Sequence, residues 1–400
     1  MRILFVSPFL PYPPVAGGHG QIWGWLRRLA RWQEVAFVGF FERDAEAAGA
    51  SELERCCVET RVRLRKPTAH RYTSFAQLPR LVTESFSEQL ARDLAEVSRS
   101  FRPEVVQFLA TNMAQYWRYV DRAAVAVTAL DIAFVAHGRR IAATQGLTRL
   151  QARLEWLRML RYETAVFRRA DHVIAVSERD AEIIRAVGGH RRVTAVPPGV
   201  DRELVAPRPR RPQPGTVIYV GHMEHSPNLD GLLFCYREIW PRVRYAYPKA
   251  KLLVAGGRLR EELAREAPET LARMERDASV RLAGFIPDLA AAMDASAVMA
   301  APMRMGSGVR NKVIEAMAAG LPVVTTRLGA EGLAVSHERE LLIADQPDEF
   351  AAQVVRLLRD GRLQARLSEA GRALVAHDHD NDRLAKRLER ALARAAGMRS

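Results

Sequence analysis

The chain has 400 residues, of which 26% are charged and 48% hydrophobic; this composition excludes a disordered or fibrous protein, and the length exceeds one ordinary domain. Its 60 lysine and arginine residues outnumber the 46 acidic residues and give a formal net charge of +14, although only five of the 60 are lysines. Such a surplus fits three classes of partner: nucleic acid, an anionic membrane surface, or a substrate that carries phosphate.

The first half of the chain alternates short β-rich runs with longer amphipathic segments, which is the pattern of parallel α/β units. The run at 3–7 is short and is followed at once by Pro8, so it predicts a buried strand and not a signal peptide. Six more strands are predicted at 35–40, 58–64, 105–109, 125–130, 173–176 and 193–196, and helices at 91–100, 148–169 and 178–187.

A proline-rich stretch divides the chain. Residues 207–215 read Pro-Arg-Pro-Arg-Arg-Pro-Gln-Pro-Gly, which cannot sustain a helix or a central strand. We therefore predict an N-terminal domain at 1–206, a linker at 207–215 and a C-terminal domain at 216–375. The remaining segment, 376–400, is predicted as a helix that packs back on the N-terminal domain.

The second half repeats the alternation. Two doubly wound, Rossmann-like α/β domains are therefore expected, with ligands at the carboxyl ends of their strands and the active site in the cleft between them. The strands of this half are predicted at 216–221, 251–255, 280–283, 297–301 and 323–325, and its helices at 228–240, at 309–319 and throughout 347–396.

Neither the cysteines nor the hydropathy indicates a secreted or membrane-spanning protein. Cys56 and Cys57 are adjacent and Cys235 is remote, which is neither a disulfide framework nor a metal-binding spacing. No stretch reaches the roughly 18 uninterrupted apolar residues of a spanning helix. We expect a cytoplasmic protein that can lie against the inner face of the membrane.

A glycine-rich turn between two predicted strands carries the sharpest chemical signal. Gly306 and Gly308 let backbone N–H groups approach a ligand, and the helix that follows favours negative charge at its N-terminus. Arg310 and Lys312 are predicted in the first turn of that helix, where a cation is unfavourable unless an anion lies in front of it. A diphosphate would be such an anion, and Glu315 could accept hydrogen bonds from a sugar diol. The alternative is an ordinary strand–helix connection with solvated charges.

This turn resembles the donor-binding motif of retaining glycosyltransferases of family 4, the "glycosyl transferases group 1" class with the GT-B fold. Within the family, Gly221-His222-Met223 together with Ser226-Pro227-Asn228-Leu229-Asp230 resembles a branch tied to exopolysaccharide and PEP-CTERM loci. The resemblance covers nearly the whole chain, and its other motifs are Pro14-Val15-Ala16-Gly17-Gly18, Tyr162-Glu163 through Ala170-Asp171-His172-Val173-Ile174-Ala175-Val176-Ser177, Val196-Pro197-Pro198-Gly199-Val200-Asp201, Val254-Ala255-Gly256-Gly257 and Leu282-Ala283-Gly284-Phe285-Ile286-Pro287-Asp288.

The resemblance implies the transfer of a sugar from a nucleotide-diphosphate sugar to a glycan or lipid-linked acceptor. It implies front-face attack with retention of configuration, in which the leaving diphosphate assists deprotonation of the acceptor. Backbone amides and cations would stabilise that diphosphate, so neither a metal nor a cofactor is expected. The implied donor-binding residues are Gly17, Gly18, His222, Asn228, Phe285, Gly306, Ser307, Gly308, Val309, Arg310, Lys312 and Glu315.

The chain departs from the family pattern where the diphosphate should bind. The arginine and lysine that the family uses would fall at His222 and Asn228. We hypothesise that Lys312, together with Arg310, supplies the positive charge that these two positions have lost.

Other positions bear on the sugar and the acceptor. Ser307 stands where the family has the first of two paired glutamates, whereas Glu315 matches the second and is a catalytic candidate together with Lys312. Asp131 follows a predicted strand where many relatives carry a histidine; it either orients the acceptor, as a further catalytic candidate, or is a structural cap. His19, beside the Gly-Gly loop, is the second acceptor-binding candidate.

The segment from Arg139 to Arg169 is basic and amphipathic. Leu147, Leu150, Leu154 and Leu157 fall on one face of the predicted helix. Either this segment lies on an anionic membrane surface, which suits a lipid-linked acceptor, or it is a core-packed helix with a solvated basic face.

Two other functions compete with glycosyl transfer. A sugar-nucleotide epimerase would share the architecture, although the pattern Gly-x-Gly-x-x-x-Lys-x-x-Glu favours transfer. A nucleic-acid-binding protein would explain the charge, but the chain lacks helix-turn-helix, zinc-finger and RNP signatures and its charges are dispersed, so no nucleic-acid partner is expected.

The acidic run at 378–382 precedes a predicted helix and is interpreted as a cap, not as a metal site.

Overall fold

The computed structural model describes residues 1–14, 17–65, 78–141, 145–189, 192–206 and 210–397. They form two compact units. Unit 1 comprises residues 1–199 and 381–400, and unit 2 comprises residues 200–380, so the chain crosses between the units twice. Val15 and Ala16 of the Gly-Gly motif, and residues 207–209 of the proline-rich stretch, lie outside the described residues.

Unit 1 is built on a parallel sheet of seven strands in the order β3-β2-β1-β4-β5-β6-β7. All seven predicted strands are confirmed, with ends that differ by at most one residue. Most of their side chains are buried because helices cover both faces of the sheet. The strands are β1 (Arg2–Ser7), β2 (Glu34–Phe41), β3 (Glu59–Leu64), β4 (Val105–Leu109), β5 (Ala124–Ala129), β6 (His172–Ala175) and β7 (Val193–Ala195).

The helices of unit 1 carry local signals that fix their ends. Helix α4 begins where the Ser87 hydroxyl accepts a hydrogen bond from the Leu90 amide, and it ends at Arg102, which adopts a left-handed conformation. The helices that precede the crossing are α1 (Gly17–Leu29), α2 (Ala50–Cys56), α3 (Arg80–Thr83), α4 (Glu88–Phe101), α5 (Ala133–Ile141), α6 (Gly146–Arg169) and α7 (Glu178–Gly188).

A parallel sheet of six strands forms the frame of unit 2, in the order β10-β9-β8-β11-β12-β13. The five predicted strands are confirmed to within one residue, whereas β13 is an addition of only two residues. The strands are β8 (Thr216–Val220), β9 (Lys251–Ala255), β10 (Val280–Gly284), β11 (Val298–Ala301), β12 (Val323–Thr325) and β13 (Leu342–Ile343).

The helices of unit 2 differ from the prediction in several places, one of which is the short helix α8, which was not predicted. A π-helical turn, Cys235–Ile239, interrupts the helix predicted at 228–240, and three short helices appear that were not predicted, α11 to α13. The helices are α8 (Arg202–Val205), α9 (Ser226–Phe234), α10 (Trp240–Ala246), α11 (Leu259–Glu266), α12 (Pro268–Arg276), α13 (Leu289–Asp294), α14 (Asn311–Ala318), α15 (Pro347–Arg359) and α16 (Gly361–Asp378).

The predicted helical region 347–396 is three helices. The first break is at Asp360, whose carboxylate accepts a hydrogen bond from the Leu363 amide and so starts α16. The last helix, α17 (Asn381–Ala395), belongs to unit 1 and packs against α1. Its residues Leu384, Leu388 and Leu392 are buried in the core beneath the sheet of that unit.

The two parallel sheets confirm the expected fold class of two doubly wound, Rossmann-like domains. Within the described ranges, no helix combines the length and the hydropathy needed to cross a membrane.

Candidate functional site

The carboxyl ends of three neighbouring strands in unit 2 are joined by backbone hydrogen bonds. The Gly221 amide, after β8, donates to the Ala255 carbonyl of β9, and the Gly256 amide donates to the Gly284 carbonyl of β10 at 2.7 Å. Gly256 has a φ of 150°, and a Cβ atom there would overlap the carbonyl oxygen of Gly221. Because these positions are glycines, the carboxyl ends of β8, β9 and β10 can lie in direct backbone contact with one another.

The glycine-rich turn lies next to these strand ends, between β11 and α14. Gly306 and Gly308 have φ values of 103° and 73°, which side chains rarely adopt. Arg310 is buried, and its guanidinium donates to the Ser307 carbonyl at 2.6 Å. The helix begins at Asn311, so the prediction that Arg310 lies in its first turn is wrong: Arg310 precedes the helix and its side chain bonds the carbonyls of the turn.

Lys312 lies within the first turn of α14, as predicted, but its side chain extends to the end of β8. Its Nζ atom donates to the Val220 carbonyl and to Asn228 Oδ1, both at 2.7 Å, and lies 5.2 Å from the centre of the Tyr219 ring. Burial, reinforced by the positive charge of Arg310, lowers the pKa of Lys312 to about 7. Both acceptors are neutral oxygens. Among the described residues, no carboxylate forms a salt bridge with this ammonium group.

His222 and Asn228 belong to the same cluster. The Asn228 side-chain Nδ2 group donates to the His222 carbonyl at 2.9 Å. This hydrogen bond orients Asn228 Oδ1 toward Lys312. The His222 ring lies against Gly257, where a Cβ atom would be 2.9 Å from the ring, and Glu224 lies 3.9 Å from its Nδ1 atom. His222, Asn228 and Lys312, which the sequence analysis assigned to one diphosphate site, are therefore linked by hydrogen bonds in the structure.

His225, which the sequence analysis interpreted as an ordinary surface or loop histidine and did not assign to the site, lies close to this cluster. Its pKa lies below the usual histidine value because of desolvation first and the nearby positive charges of Arg310, Lys312 and His222 second. The signal in the sequence was its position, since His225 directly precedes the start of α9 and follows His222 by three residues.

The remaining donor-binding candidates lie near the turn or at the next strand end. Glu315 is half-buried on α14; burial raises its pKa, and Lys312 opposes that rise. Ser307 and Val309 are half-buried in the turn itself. Phe285 follows β10 and is 66% exposed, which leaves one face of a large aromatic ring open to a ligand.

The candidates of unit 1 lie at the ends of β1 and β5. Gly17, Gly18 and His19 form the first turn of α1, and the His19 ring packs on Phe9 with the ring centres 4.3 Å apart. Asp131 follows β5, and its negative charge contributes to raising the pKa of Glu163.

Glu163 is a buried carboxyl group that the sequence analysis named only within a motif. It accepts hydrogen bonds from the Thr111 hydroxyl at 2.7 Å and from the amides of Ala133 and Phe134, at the start of α5. Burial, with the charge of Asp131 as a smaller cause, raises the pKa of Glu163 to about 7. Glu163 thus fixes the position of the backbone that follows Asp131.

The acidic run at 378–382 is engaged by arginines. In unit 2, Asp380 pairs with Arg202 at 2.7 Å, and in unit 1, Asp382 pairs with Arg28 at 2.6 Å. Over the described part of the chain, no group of three or more histidine, cysteine, aspartate or glutamate side chains is placed to hold a metal ion.

The leucine face of α6 points away from the core. Leu147, Leu150 and Leu157 are 80%, 55% and 47% exposed, whereas Met159 and Phe167, on another face of the same helix, are buried. The C-terminal half of α6 therefore packs into unit 1, and the leucines at its other end form an exposed apolar patch.

Two family models match the chain in succession. Residues 21–204 match "Glycosyltransferase Family 4", and residues 214–360 match "Glycosyl transferases group 1". The first match begins after β1 and includes the other six strands of unit 1, and the second includes all six strands of unit 2.

Curated relatives are similar to parts of the chain. An "Uncharacterized 44.6 kDa protein in cps region" of Klebsiella pneumoniae is 28% identical over 140 residues, which is 35% of this chain and 36% of the relative. "D-inositol 3-phosphate glycosyltransferase 2" of Catenulispora acidiphila is 28% identical over 233 residues, 54% of this chain and 53% of the relative. The chain thus matches between a third and about half of the length of these relatives.

Solved structures share the fold over nearly the whole chain. Anabaena Alr3699/HepE in complex with UDP has a TM-score of 0.71 at 14% identity, covering 98% of this chain and 100% of that one. WaaG, a glycosyltransferase involved in lipopolysaccharide biosynthesis, has a TM-score of 0.66 at 14% identity, covering 98% and 99%. At such identities the likeness concerns the fold alone.

Proposed function

We propose that the chain is a glycosyltransferase of the GT-B type that transfers a sugar from a nucleotide-diphosphate sugar to a glycan or lipid-linked acceptor with retention of the anomeric configuration. The observation that carries the proposal is the ammonium group of Lys312, whose two hydrogen-bond acceptors among the described residues, the Val220 carbonyl and Asn228 Oδ1, are both neutral. A negatively charged ligand would stabilise such a buried cation more than a neutral ligand would.

The surroundings of Lys312 favour an anion of more than one charge. His222, His225 and Arg310 bring further positive or protonatable groups to the same strand ends, against the carboxyl groups of Glu315 and Glu224. The turn at Gly306 and Gly308 leads into α14, and the N-terminus of a helix carries a partial positive charge that favours an anion. A diphosphate matches this set of donors better than a neutral sugar does.

Lys312 would then do the work that the resemblance assigns to an arginine and a lysine at His222 and Asn228. It lies 2.7 Å from Asn228 Oδ1, so its charge is placed where a lysine at position 228 would have brought it. During transfer the diphosphate gains negative charge as the bond to the sugar breaks. A fixed ammonium group and preorganised N–H groups stabilise that charge without a metal ion.

The comparisons suggest the donor and the pathway to test first. HepE binds UDP and UDP-glucose in its structures, so we propose UDP as the donor nucleotide. WaaG acts in lipopolysaccharide biosynthesis and one relative lies in a cps region, which supports a role in making a surface or exported polysaccharide.

A thermal-shift screen of nucleotide diphosphates and their sugars tests the donor assignment. We expect UDP to raise the melting temperature by about 5–10 °C at about 100 times its Kd, because it binds only the native state. The shift should persist in EDTA, and the anomeric configuration of the product, read by NMR, should equal that of the donor. The proposal fails if no nucleotide diphosphate changes the melting temperature.

We further propose that unit 1 attaches to an anionic membrane surface through α6. The three exposed leucines lie on a helix that also carries exposed arginines, among them Arg153 and Arg161. Apolar side chains flanked by arginines are the pattern of helices that lie in the membrane interface. The alternative, a core-packed leucine face, does not fit the exposure of these side chains.

Flotation with lipid vesicles tests the membrane proposal. The double substitution Leu150→Glu and Leu157→Glu should abolish binding to vesicles rich in phosphatidylglycerol, because each adds a charge to the patch. Tyr245→Glu, at a residue of unit 2 that is 92% exposed, is the matched control and should bind as the wild type does. Equal loss in the control, or undiminished binding of the double variant, would refute attachment through α6.

A further inference from the structure

Unit 1 contains an apolar pocket that the proposed reaction does not use. It has a volume of about 500 Å³ and lies between α3, the 3₁₀ segment Thr111–Tyr119 and the C-terminal turns of α6. Phe86, Trp117, Tyr162 and Val166 form much of its wall. This volume lies within the range of pockets that bind small molecules.

The polar groups of the wall are already bonded to the protein. The Tyr162 hydroxyl donates to the Thr111 carbonyl at 3.1 Å, and burial raises its pKa above the usual tyrosine value, so it stays protonated. The Gln115 amide donates to the carbonyls of Val82 and Asn112. A ligand in the pocket therefore meets apolar surface and not a set of hydrogen-bonding groups suited to a sugar.

Two arginines are the exception. The Arg169 guanidinium lies 4.6 Å from the centre of the Trp117 ring, and that of Arg118 lies 4.9 Å from the Tyr119 ring. Both residues line the pocket. Within the described residues neither guanidinium has a carboxylate or carbonyl partner, whereas Arg158, on the same helix, pairs with Glu155. A guanidinium stacked on a ring keeps its N–H edge for an anion, and phosphate is the anion that this edge fits best.

We propose that this pocket binds a hydrocarbon chain of an anionic phospholipid, with the lipid phosphate on Arg118 and Arg169. A ligand that satisfies both the apolar wall and the two cations must be an amphiphile with a negative head group. A membrane phospholipid is favoured because α6, which supplies Tyr162, Val166 and Arg169, also carries the exposed leucine patch. The inference goes beyond the transfer reaction and does not depend on the donor site of unit 2.

Calorimetric titration of the full chain with dodecyl phosphate, below its critical micelle concentration, tests the pocket. We expect the substitutions Arg118→Ala and Arg169→Ala each to weaken binding about tenfold, since each removes a charge-assisted hydrogen bond. Arg168→Ala is the matched control: Arg168 is the neighbouring arginine, bonds the Val187 carbonyl, and does not line the pocket, so its loss should change little.

A second pair of variants separates the pocket from surface charge. Ala165 lines the pocket, so Ala165→Trp should fill it and abolish binding while both arginines remain, whereas Ala165→Ser should bind as the wild type does. UDP binding and the melting temperature, measured on each variant, show whether the fold and the donor site are intact.

Four results would overturn the proposal. The first two are that the wild type does not bind dodecyl phosphate, or that the Ala165→Trp variant binds it as well as the wild type does. The other two are that Arg168→Ala weakens binding as much as Arg118→Ala and Arg169→Ala do, or that glycerol phosphate, which has no hydrocarbon chain, binds as well as dodecyl phosphate. Dihexanoyl phosphatidylglycerol should compete with dodecyl phosphate. If farnesyl phosphate competes and the phosphatidylglycerol does not, the pocket belongs to a lipid-linked acceptor and the phospholipid assignment is wrong.

Discussion

Replacing Lys312 with methionine is expected to reduce kcat/KM for sugar transfer by about 10²–10³-fold. Methionine keeps the apolar contacts of the side chain beneath β8 but removes the one ammonium group beside Asn228. The loss should fall on kcat as well as on KM, because the negative charge on the diphosphate grows as the sugar leaves. Steady-state kinetics with the donor from the thermal-shift screen measures both parameters.

The matched control for this substitution is Lys249→Met. Lys249 is an exposed lysine of unit 2, away from the strand ends that carry the cluster, so activity should be unchanged. If Lys312→Met turned over the donor at the wild-type rate, the proposal that Lys312 supplies the missing positive charge would be wrong.

Lys312 also gives the donor affinity a pH dependence with a definite sign. Its pKa is about 7 in the free protein, so above pH 7 the side chain is increasingly neutral, and a bound diphosphate must draw a proton back onto it. Affinity for UDP should therefore fall by up to about tenfold per pH unit above pH 7, with proton uptake visible as a buffer-dependent enthalpy of binding. His225, whose pKa is lowered, is neutral in this range and does not contribute. A Lys312→Met variant with the same slope would contradict this assignment.

The second large effect is expected on stability, from Gly256→Ala. The added methyl group would lie 2.6 Å from the carbonyl carbon of Gly221 and would overlap its oxygen, and the φ of 150° is itself unfavourable for alanine. The clash is between the new methyl group and a backbone carbonyl, neither of which can rotate away, so it can be relieved only by separating the ends of β8 and β9. We expect unit 2 to lose about 4 kcal/mol or more of unfolding free energy, measured by urea denaturation.

Gly284→Ala distinguishes the clash from the backbone strain. Gly284 also has a positive φ, of 66°, but a Cβ atom there meets nothing within 4 Å. Its replacement should therefore cost only about 1 kcal/mol, the ordinary penalty for a left-handed alanine. If the two variants were equally stable, close approach of the strands would not be the reason for glycine at position 256.

Periodicity was enough to predict the strands, because each run of buried β-rich residues is bounded by polar or glycine-containing segments. It failed for β13, which has two residues and no period, and for α11 to α13, each too short to show a sustained apolar face. The π-helical turn at Cys235–Ile239 escaped prediction because its residues favour a helix on either side, and tertiary packing selects the wider turn.

The direction of side chains was harder to predict than their grouping. The sequence placed Lys312 at the start of a helix, but only the strand order, with β8 beside β11, brings its ammonium group to Val220 and Asn228. Periodicity likewise identified the leucine face of α6 and could not say which way it points. Glu163 lay within a recognised motif, but its role gave no signal, since its hydrogen-bond partners lie 29 to 52 residues away along the chain.

The path of the chain also has a consequence for biosynthesis. Helix α17 supplies Leu384, Leu388 and Leu392 to the core of unit 1, yet the whole of unit 2 is translated before it. While the ribosome is still making unit 2, the sheet of unit 1 lacks part of its apolar cover. Unit 2 is continuous in sequence, whereas unit 1 is complete only when residues 381–395 are available, so the earlier-made unit depends on the last-made helix. A chaperone that holds exposed apolar surface would find its target on the earlier-made half of the chain until residues 381–395 emerge.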